Sequence, residues 1–267
     1  MPETFLILLA GGIMLAATVS NPRLVTVHWL RLCGILALAF AGLAVFFVLR
    51  RAATDDASAL YLRIQSGILA CTVVAILAQL AFVQTLFLRT QRTFAALTFA
   101  LAVMVGGGLV HDRVPRASGT SALAKPQAIA LQTIACAGVA ALPGLALMDM
   151  LLGHAYLTAA RMTIAPFRRL NLALAAALSL RILVGVVAIV LQSRYPTELF
   201  WPRFGLLVGT RWLVGLIVPA VFVYMAHDCI KRRSTQSATG ILYVAGVLIF
   251  IGELVALHLA RETGLPL

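Results

Sequence analysis

Three charged residues stand inside long apolar runs of this 267-residue sequence. Arg181 lies in LALAAALSLRILVGVVAIVL, Arg211 in GLLVGTRWLVGLIVPAVFVY and Glu253 in GILYVAGVLIFIGELVAL. A charge near the centre of a bilayer costs about 2.5 to 3.5 kcal/mol on insertion scales, so such residues are expected to face a partner, a cavity or a ligand. These three positions are therefore the first candidates for function.

Arg211 and Glu253 are predicted to form an ion pair. Arg211 lies near the start of one apolar run and Glu253 near the end of the next, and consecutive membrane helices run antiparallel. The two side chains therefore fall at similar depth, and pairing lowers the cost of burying both. If the pair is isolated, replacing both residues by leucine should restore the folding that either single change loses.

Arg181 has no acid at its own depth. Asp149 in the preceding run is the nearest, and a long arginine side chain can reach several ångströms. We therefore expect Arg211, Glu253, Arg181 and Asp149 to supply an intramembrane ion pair or a proton path. Without a protein acid, Arg181 would need backbone carbonyls, an anionic ligand or a quinone.

All five histidines fall at or near the ends of apolar runs. His154 and His227 are expected at one membrane face and His111 and His258 at the other, an arrangement that permits two bis-histidine haem b sites because imidazole is a common haem ligand. Interfacial residues without a ligand are the simpler interpretation. Together with Tyr156, these histidines are candidates for quinone or haem contacts, with quinone favoured. No spacing indicates a metal site.

The composition identifies the solvent of these elements as lipid. The chain is 62% hydrophobic and 11% charged, whereas soluble domains have about 45 to 50% apolar and 25% charged residues. A spanning helix needs about 20 mostly apolar residues. Eight such runs are predicted, so the expected fold is an all-α polytopic membrane protein, with runs near residues 4–20, 29–49, 61–88, 94–110, 128–153, 170–192, 205–227 and 238–259.

A polar stretch, HDRVPRASGTSALAKPQ, divides the runs four and four. We expect residues 1–110 and 128–267 to form two four-helix bundles joined by a linker at 111–127, because clustered Pro, Gly and Ser are typical of loops. Only short loops remain outside the helices. An accessory membrane subunit or a small carrier is therefore favoured over a stand-alone enzyme.

The formal charge of +12 would suggest nucleic-acid binding in a soluble protein. Here the bases lie beside helix ends, where membrane topology and anionic lipid explain them, so the bilayer and protein subunits are the expected partners and nucleic acid is not. The loops at one face hold ten Lys or Arg and a single acid, Asp228, and those at the other hold nine with six acids. This bias favours a bacterial inner membrane orientation with both termini outside the cytoplasm.

The predicted chain has eight helices in two quartets, with the buried Arg181, Arg211 and Glu253, histidines at helix ends and no soluble head. This arrangement resembles the NrfD-like family of quinone-interacting membrane subunits of bacterial respiratory complexes. The resemblance covers the chain at the level of helix number and rests on no sequence motif. It implies a partner that delivers or accepts electrons, a quinone carbonyl hydrogen-bonded by Arg181 or His154, and a proton conducted by Glu253.

Two other functions fit the same residues. In a small transporter or channel, the Arg211 and Glu253 pair would gate a path and Arg181 would recognise an anionic substrate. In a lipid-modifying enzyme, Asp149, His154, His227 and Asp228 would act at one face, although Asp228 is more simply a charge at a helix end.

Overall fold

A computed structural model of the protein describes residues 2–52, 59–84, 88–111, 125–158, 163–192 and 200–263. Within these ranges the chain is helical apart from short turns, and it contains no strand. Most of the predicted 111–127 linker lies outside the described residues, as does the side chain of His111. The division into two halves therefore stays a prediction.

The described helices are named in chain order. They are α1 (Pro2–Val19), α2 (Val27–Ala52), α3 (Ala59–Gln84), α4 (Leu88–His111), α5 (Lys125–Thr158), α6 (Ala165–Gln192), α7 (Phe200–Trp212), a π-helical turn (Leu213–Ile217), α8 (Val218–Lys231) and α9 (Thr235–Thr263). Consecutive helices run in opposite directions, except that α7, the π turn and α8 form one continuous span.

The predicted all-α class with eight membrane-length helices is confirmed. Among the described residues, eight helical segments are long and apolar enough to cross a membrane, the seventh being the joined span Trp201–Lys231. We call face A the end of the bundle where α1 leads to α2, α3 to α4, α5 to α6 and α8 to α9. Face B is the opposite end.

Several helices extend past the apolar runs that predicted them. α5 continues to Thr158, α6 begins at Ala165 and α9 continues to Thr263, whereas the runs suggested ends near 153, 170 and 259. An apolar run marks the part of a helix in hydrocarbon, and a helix of about 30 residues also crosses the polar headgroup layers. Charged residues such as Arg261 and Glu262 therefore belong to the last turns of α9.

The first helix lies at the centre of the fold. α1 packs against α2, α4 and α5, and its span and that of α5 have the largest buried shares of the eight. The backbones of α1 and α5 touch where they cross: a Cβ atom added to Gly12 would lie 1.8 Å from the carbonyl oxygen of Ala140, and one added to Gly144 would lie 2.3 Å from the Gly12 carbonyl carbon. Small residues let membrane helices approach in this way.

The remaining contacts arrange the helices into two groups that share this crossing. α2 and α4 flank α3 and contact α1, while α5 and α8 each contact both α6 and α9. α5 also contacts α4 and α1. The charged residues singled out from the sequence all lie in the second group, on α5, α6, α7 and α9.

Replacing Gly12 by alanine should therefore damage the fold. The new methyl group meets backbone atoms, which cannot rotate away, and overpacking of this kind costs about 1 to 3 kcal/mol and occasionally more. We expect a clear fall in the unfolding temperature of the purified protein in detergent. Gly42→Ala is the matched control, because nothing lies within 4 Å of its added Cβ and the same change in an exposed helix stabilises slightly. Equal unfolding temperatures for the two variants would contradict the close crossing.

Candidate functional site: two buried polar clusters

Two arginines share one buried carboxylate in the second helix group. Arg181 donates from Nε to Glu253 Oε1 at 3.1 Å and from Nη2 to Oε2 at 3.0 Å. Arg211 donates from Nη2 to Oε1 at 2.9 Å. The arginine side chains are 1% exposed and that of Glu253 is 0% exposed, so protein surrounds all three. We call this group the Arg–Glu–Arg cluster.

Glycines make the space for both guanidinium groups. Gly215 of the π turn and Gly252 of α9 lie in backbone contact, and a Cβ on either would come within about 3 Å of Arg211 Nη1 (3.0 and 3.1 Å). A Cβ on Gly138 of α5 would lie 2.4 Å from Arg181 Cδ. The cluster is therefore enclosed by α5, α6, α7 and α9. At the three glycine positions, any side chain larger than a hydrogen atom would displace the guanidinium groups.

The cluster carries a net positive charge when its members are ionised. Two guanidinium groups, which stay protonated in proteins, face a single carboxylate. Of the described residues, none offers a hydrogen-bond partner to Arg211 Nε or Nη1. The spacing of 1.5 Å per residue places the three residues about 15 to 17 Å from the face B ends of their helices. A positive site near mid-membrane is thus built into the fold.

A change of helix type follows Arg211 directly. In the π turn, the N–H of Val218 bonds to the carbonyl of Leu213, five residues back instead of four. Pro219 follows and has no N–H to donate, so it removes a further backbone bond. Single π turns inside α-helices are frequently found at functional sites. Here the turn places Gly215 against Gly252 beside the arginine.

The structure corrects the expected contact between Arg181 and Asp149. Arg181 bonds to Glu253, while Asp149 accepts a hydrogen bond of 3.1 Å from Asn171 Nδ2. Asn171 and Arg181 stand on the same helix, ten residues and about 15 Å apart, so Asp149 lies well toward face A from the Arg–Glu–Arg cluster. Arg181 finds its acid because α9 ends later than its apolar run, which brings Glu253 to the same depth.

Asp149 belongs to a second polar group. Its carboxylate Oδ2 accepts from Asn171 Nδ2, and Asn171 Oδ1 lies 3.2 Å from His227 Nδ1. A carbonyl oxygen only accepts, so in this arrangement His227 Nδ1 carries a hydrogen and donates it. Asp149 and Asn171 are fully buried, and His227 is partly exposed. We call this group the Asp–Asn–His chain.

The chain leads inward from face A. His227 lies about 6 Å from the face A end of α8, Asn171 about 9 Å from that of α6 and Asp149 about 14 Å from that of α5, at 1.5 Å per residue. Asp149 Oδ1 has no hydrogen-bond partner among the described residues. The three side chains thus connect a buried carboxylate to a histidine near the membrane surface. Imidazole and carboxyl groups both act as general acids and bases.

The other predicted site residues take separate positions. His154 and His258 are exposed on α5 and α9, and the side chain of His111 lies outside the described residues. Tyr156 is buried, stacks on Phe167 with ring centroids 5.3 Å apart, and donates its hydroxyl hydrogen to the Thr163 carbonyl at 2.5 Å. Tyr156 therefore joins the end of α5 to the start of α6. The roles of these residues in binding quinone or haem stay predictions.

No three His, Cys, Asp or Glu side chains lie together in a way that would hold a metal ion in the part of the chain that the structure describes. Comparisons with known proteins add no further assignment: no family model, no curated protein and no solved structure matches the chain. The site is therefore defined by its own geometry.

Sequence reasoning missed Asn171 and the shared role of Glu253. Asn171 stands near the start of the run predicted at 170–192, directly after Arg168, Arg169 and Leu170, and it occupies the second turn of α6. An amide within about 5 Å of the depth of a buried acid was the available signal. In the sequence, Pro219 indicates a break in the helix near the π turn, but it does not indicate that the break is π-helical.

Removal of the shared carboxylate should be the most damaging change in the Arg–Glu–Arg cluster. Glu253→Leu leaves two buried arginines without their acid, and breaking a buried pair costs about 3 to 5 kcal/mol. Arg211→Leu should be the mildest, since the two-bond Arg181 contact remains and the cluster becomes neutral. We expect the unfolding temperature, measured in one detergent, to be highest for Arg211→Leu, lower for Arg181→Leu and lowest for Glu253→Leu.

The double variant Arg211→Leu with Glu253→Leu should stay destabilised, because Arg181 then lacks its carboxylate, and only the triple leucine variant should recover. The control is Arg232→Leu, which removes an exposed 2.9 Å contact with Asp228 worth about 0 to 1 kcal/mol. Full recovery in the double variant would show that Arg181 does not depend on Glu253.

Proposed function

We propose that this protein is the membrane subunit of a quinone-linked electron-transfer complex. In this proposal the Asp–Asn–His chain exchanges protons between face A and a quinone bound beside α5, α6 and α8. The observation that supports it is the fully buried Asp149 carboxylate joined by two hydrogen bonds to the partly exposed His227. Buried ionisable groups in membrane segments are functional candidates by default.

The chemistry needs both protons and electrons. Reduction of a quinone to a quinol takes up two electrons and two protons, and the reverse reaction releases them. The electrons would come from or go to a partner subunit that carries redox groups. His227 would exchange protons with face A and Asp149 would exchange them with the quinone, because these side chains gain and lose protons readily. Water between His227 Nε2 and Asp149 Oδ1 would carry the protons past Asn171, whose amide does not titrate.

Asn171 would act as a positioning residue. Its amide donates to Asp149 and accepts from His227, so it fixes both side chains without carrying the proton itself. Asp149 Oδ1 and His227 Nε2 remain for a quinone oxygen or for water. Hydrogen bonds that fix the acid and the base in this way are the usual support of proton transfer.

The proposed orientation follows from the basic loops. Face A would be cytoplasmic and both termini would lie outside the cytoplasm of a bacterial inner membrane, because Lys and Arg are enriched in cytoplasmic loops. The proton chain would then open toward the cytoplasm.

A carrier of anions is the second candidate, and the Arg–Glu–Arg cluster favours it. Its net positive charge near mid-membrane, the Arg211 N–H groups without a partner among the described residues and the adjoining π turn are features of transporter binding sites, where broken helices meet a charged substrate. In that case Arg211 would contact the anion, and Arg211→Leu would fold but abolish its flux into proteoliposomes.

The first experiment is a quinone extraction and a reduced-minus-oxidised absorption spectrum of the gently solubilised protein with whatever copurifies. We expect bound quinone and a redox partner. A preparation that lacks both and moves an anion into proteoliposomes would overturn the electron-transfer proposal in favour of the carrier.

Asp149→Asn tests the proton chain itself. Asparagine keeps an acceptor for Asn171 Nδ2 but removes the ionisable proton, so the variant should fold and retain quinone while quinol turnover falls by about 100-fold or more, the usual contribution of a general acid or base. His227→Gln should behave similarly. His28→Gln is the matched control, because His28 is an exposed histidine at the face A end of α2. Equal loss in His28→Gln, or full activity in Asp149→Asn, would contradict the role assigned to the chain.

A further inference from the structure

A separate set of buried polar side chains lies at the face A end of the first helix group, on helices other than those that carry the two clusters of the second group. Seven buried nitrogen and oxygen atoms there have no hydrogen-bond partner among the described residues. They are the Nε1 of Trp29, the Nε of Arg31 and Arg92, and both amide atoms of Gln79 and Gln91. The side chains of Gln79 and Gln91 are fully buried and Trp29 is 3% exposed. We call them the amide–arginine cluster.

All five side chains stand close to face A. Trp29 and Arg31 lie in the first turns of α2, Gln91 and Arg92 in the first turn of α4, and Gln79 in the last turns of α3. At 1.5 Å per residue they lie about 3 to 8 Å from the helix ends. This depth corresponds to the boundary between acyl chains and headgroups.

Direct contacts hold the four helices of this group together at that end. Arg92 Nη2 donates to the Ser20 carbonyl after α1 at 3.0 Å. A Cβ on Gly34 of α2 would lie 2.6 Å from Gln79 Oε1, and Phe82 of α3 stacks on Phe94 of α4 at 5.3 Å. The amide–arginine cluster therefore belongs to one end of one packed unit.

The cluster offers an excess of donors and of positive charge. Five of its unpartnered atoms are N–H or NH2 nitrogens and two are amide oxygens. Residues 20–31 and 79–95 contain four arginines and no Asp or Glu. The complementary ligand is a negatively charged group rich in oxygen.

We propose that the amide–arginine cluster binds the phosphate group of an acidic glycerophospholipid at face A. Buried polar groups in proteins are nearly always hydrogen-bonded, and an unpartnered set of this size indicates a ligand. Basic pockets between membrane helices bind acidic headgroups, and the depth of the cluster places a phosphate there while the acyl chains stay in the bilayer. A zwitterionic lipid would bring its own cation next to Arg31 and Arg92 and fits less well.

The test compares purified protein in nanodiscs of phosphatidylcholine alone, phosphatidylcholine with phosphatidylglycerol, and phosphatidylcholine with inorganic phosphate in the buffer. We expect phosphatidylglycerol to raise the unfolding temperature by about 2 to 4 °C, the shift expected for one added interaction in a chain of this size, and inorganic phosphate to have no effect. Equal protection by inorganic phosphate would assign the cluster to a free anion, and protection by neither would show that water satisfies it.

Matched arginine variants locate the effect. Arg31→Gln should weaken retention of phosphatidylglycerol in native mass spectrometry by about five-fold, as expected for one basic residue near an acidic lipid. Arg169→Gln removes the same charge from an exposed arginine near face A in the second helix group and should change little. Equal weakening in both variants would reduce the effect to general surface charge and overturn the proposal.

Gln79→Leu separates binding from folding. Leucine has a similar volume and leaves no buried amide unpartnered, so in phosphatidylcholine the variant should be at least as stable as the natural protein. It should lose the additional stabilisation by phosphatidylglycerol. A Gln79→Leu protein that is destabilised in phosphatidylcholine yet still responds to phosphatidylglycerol would show that the amide serves the fold and not the lipid.

Discussion

The second helix group depends on one carboxylate held between two arginines. Glu253 accepts three hydrogen bonds from Arg181 and Arg211, all from fully buried groups. Burying any one of these charges in hydrocarbon without a partner would cost free energy. The contact therefore requires α6, α7 and α9 to meet at one depth, each rotated about its axis so that its charged side chain faces the others. Gly138, Gly215 and Gly252 follow from this requirement, because larger residues would occupy the space of the guanidinium groups.

A helix bundle in lipid gains little from the hydrophobic effect between helices, so small residues and polar contacts set its geometry. This protein uses both small residues and polar contacts, at different depths in the bundle. The Gly12 and Gly144 crossing joins the helix groups through backbone contacts and without polar side chains, and the polar groups lie at different distances from face A. The Asp–Asn–His chain and the Arg–Glu–Arg cluster share α6, so a change in the position of that helix would alter the hydrogen bonds of both.

The sequence predicted the class, the number of spans and the depth match of Arg211 with Glu253, because apolar run length and helix rise determine these properties. It did not predict that Arg181 joins the same acid, since apolar runs mark hydrocarbon and not helix ends, and an error of a few residues at the end of α9 changes the depth of Glu253 by about 6 Å. Asn171, Gln79 and Gln91 were not predicted because an uncharged amide gives no ion-pair or titration signal in the sequence. The partners of Asn171, and the burial of Gln79 and Gln91 without partners among the described residues, become visible only when neighbouring helices are in place.

The central position of α1 also has a consequence for the order in which the protein is made. α1 is synthesised before α5, yet its Gly12 surface fits Gly144, which enters the membrane only when α5 is inserted. Until then the nascent chain must keep a narrow, glycine-bearing surface of α1 against lipid, the insertion machinery or a transient neighbour. Completion of the α1–α5 contact is therefore delayed until α5 has left the ribosome, and the interval before that point is when misassembly and degradation compete with folding.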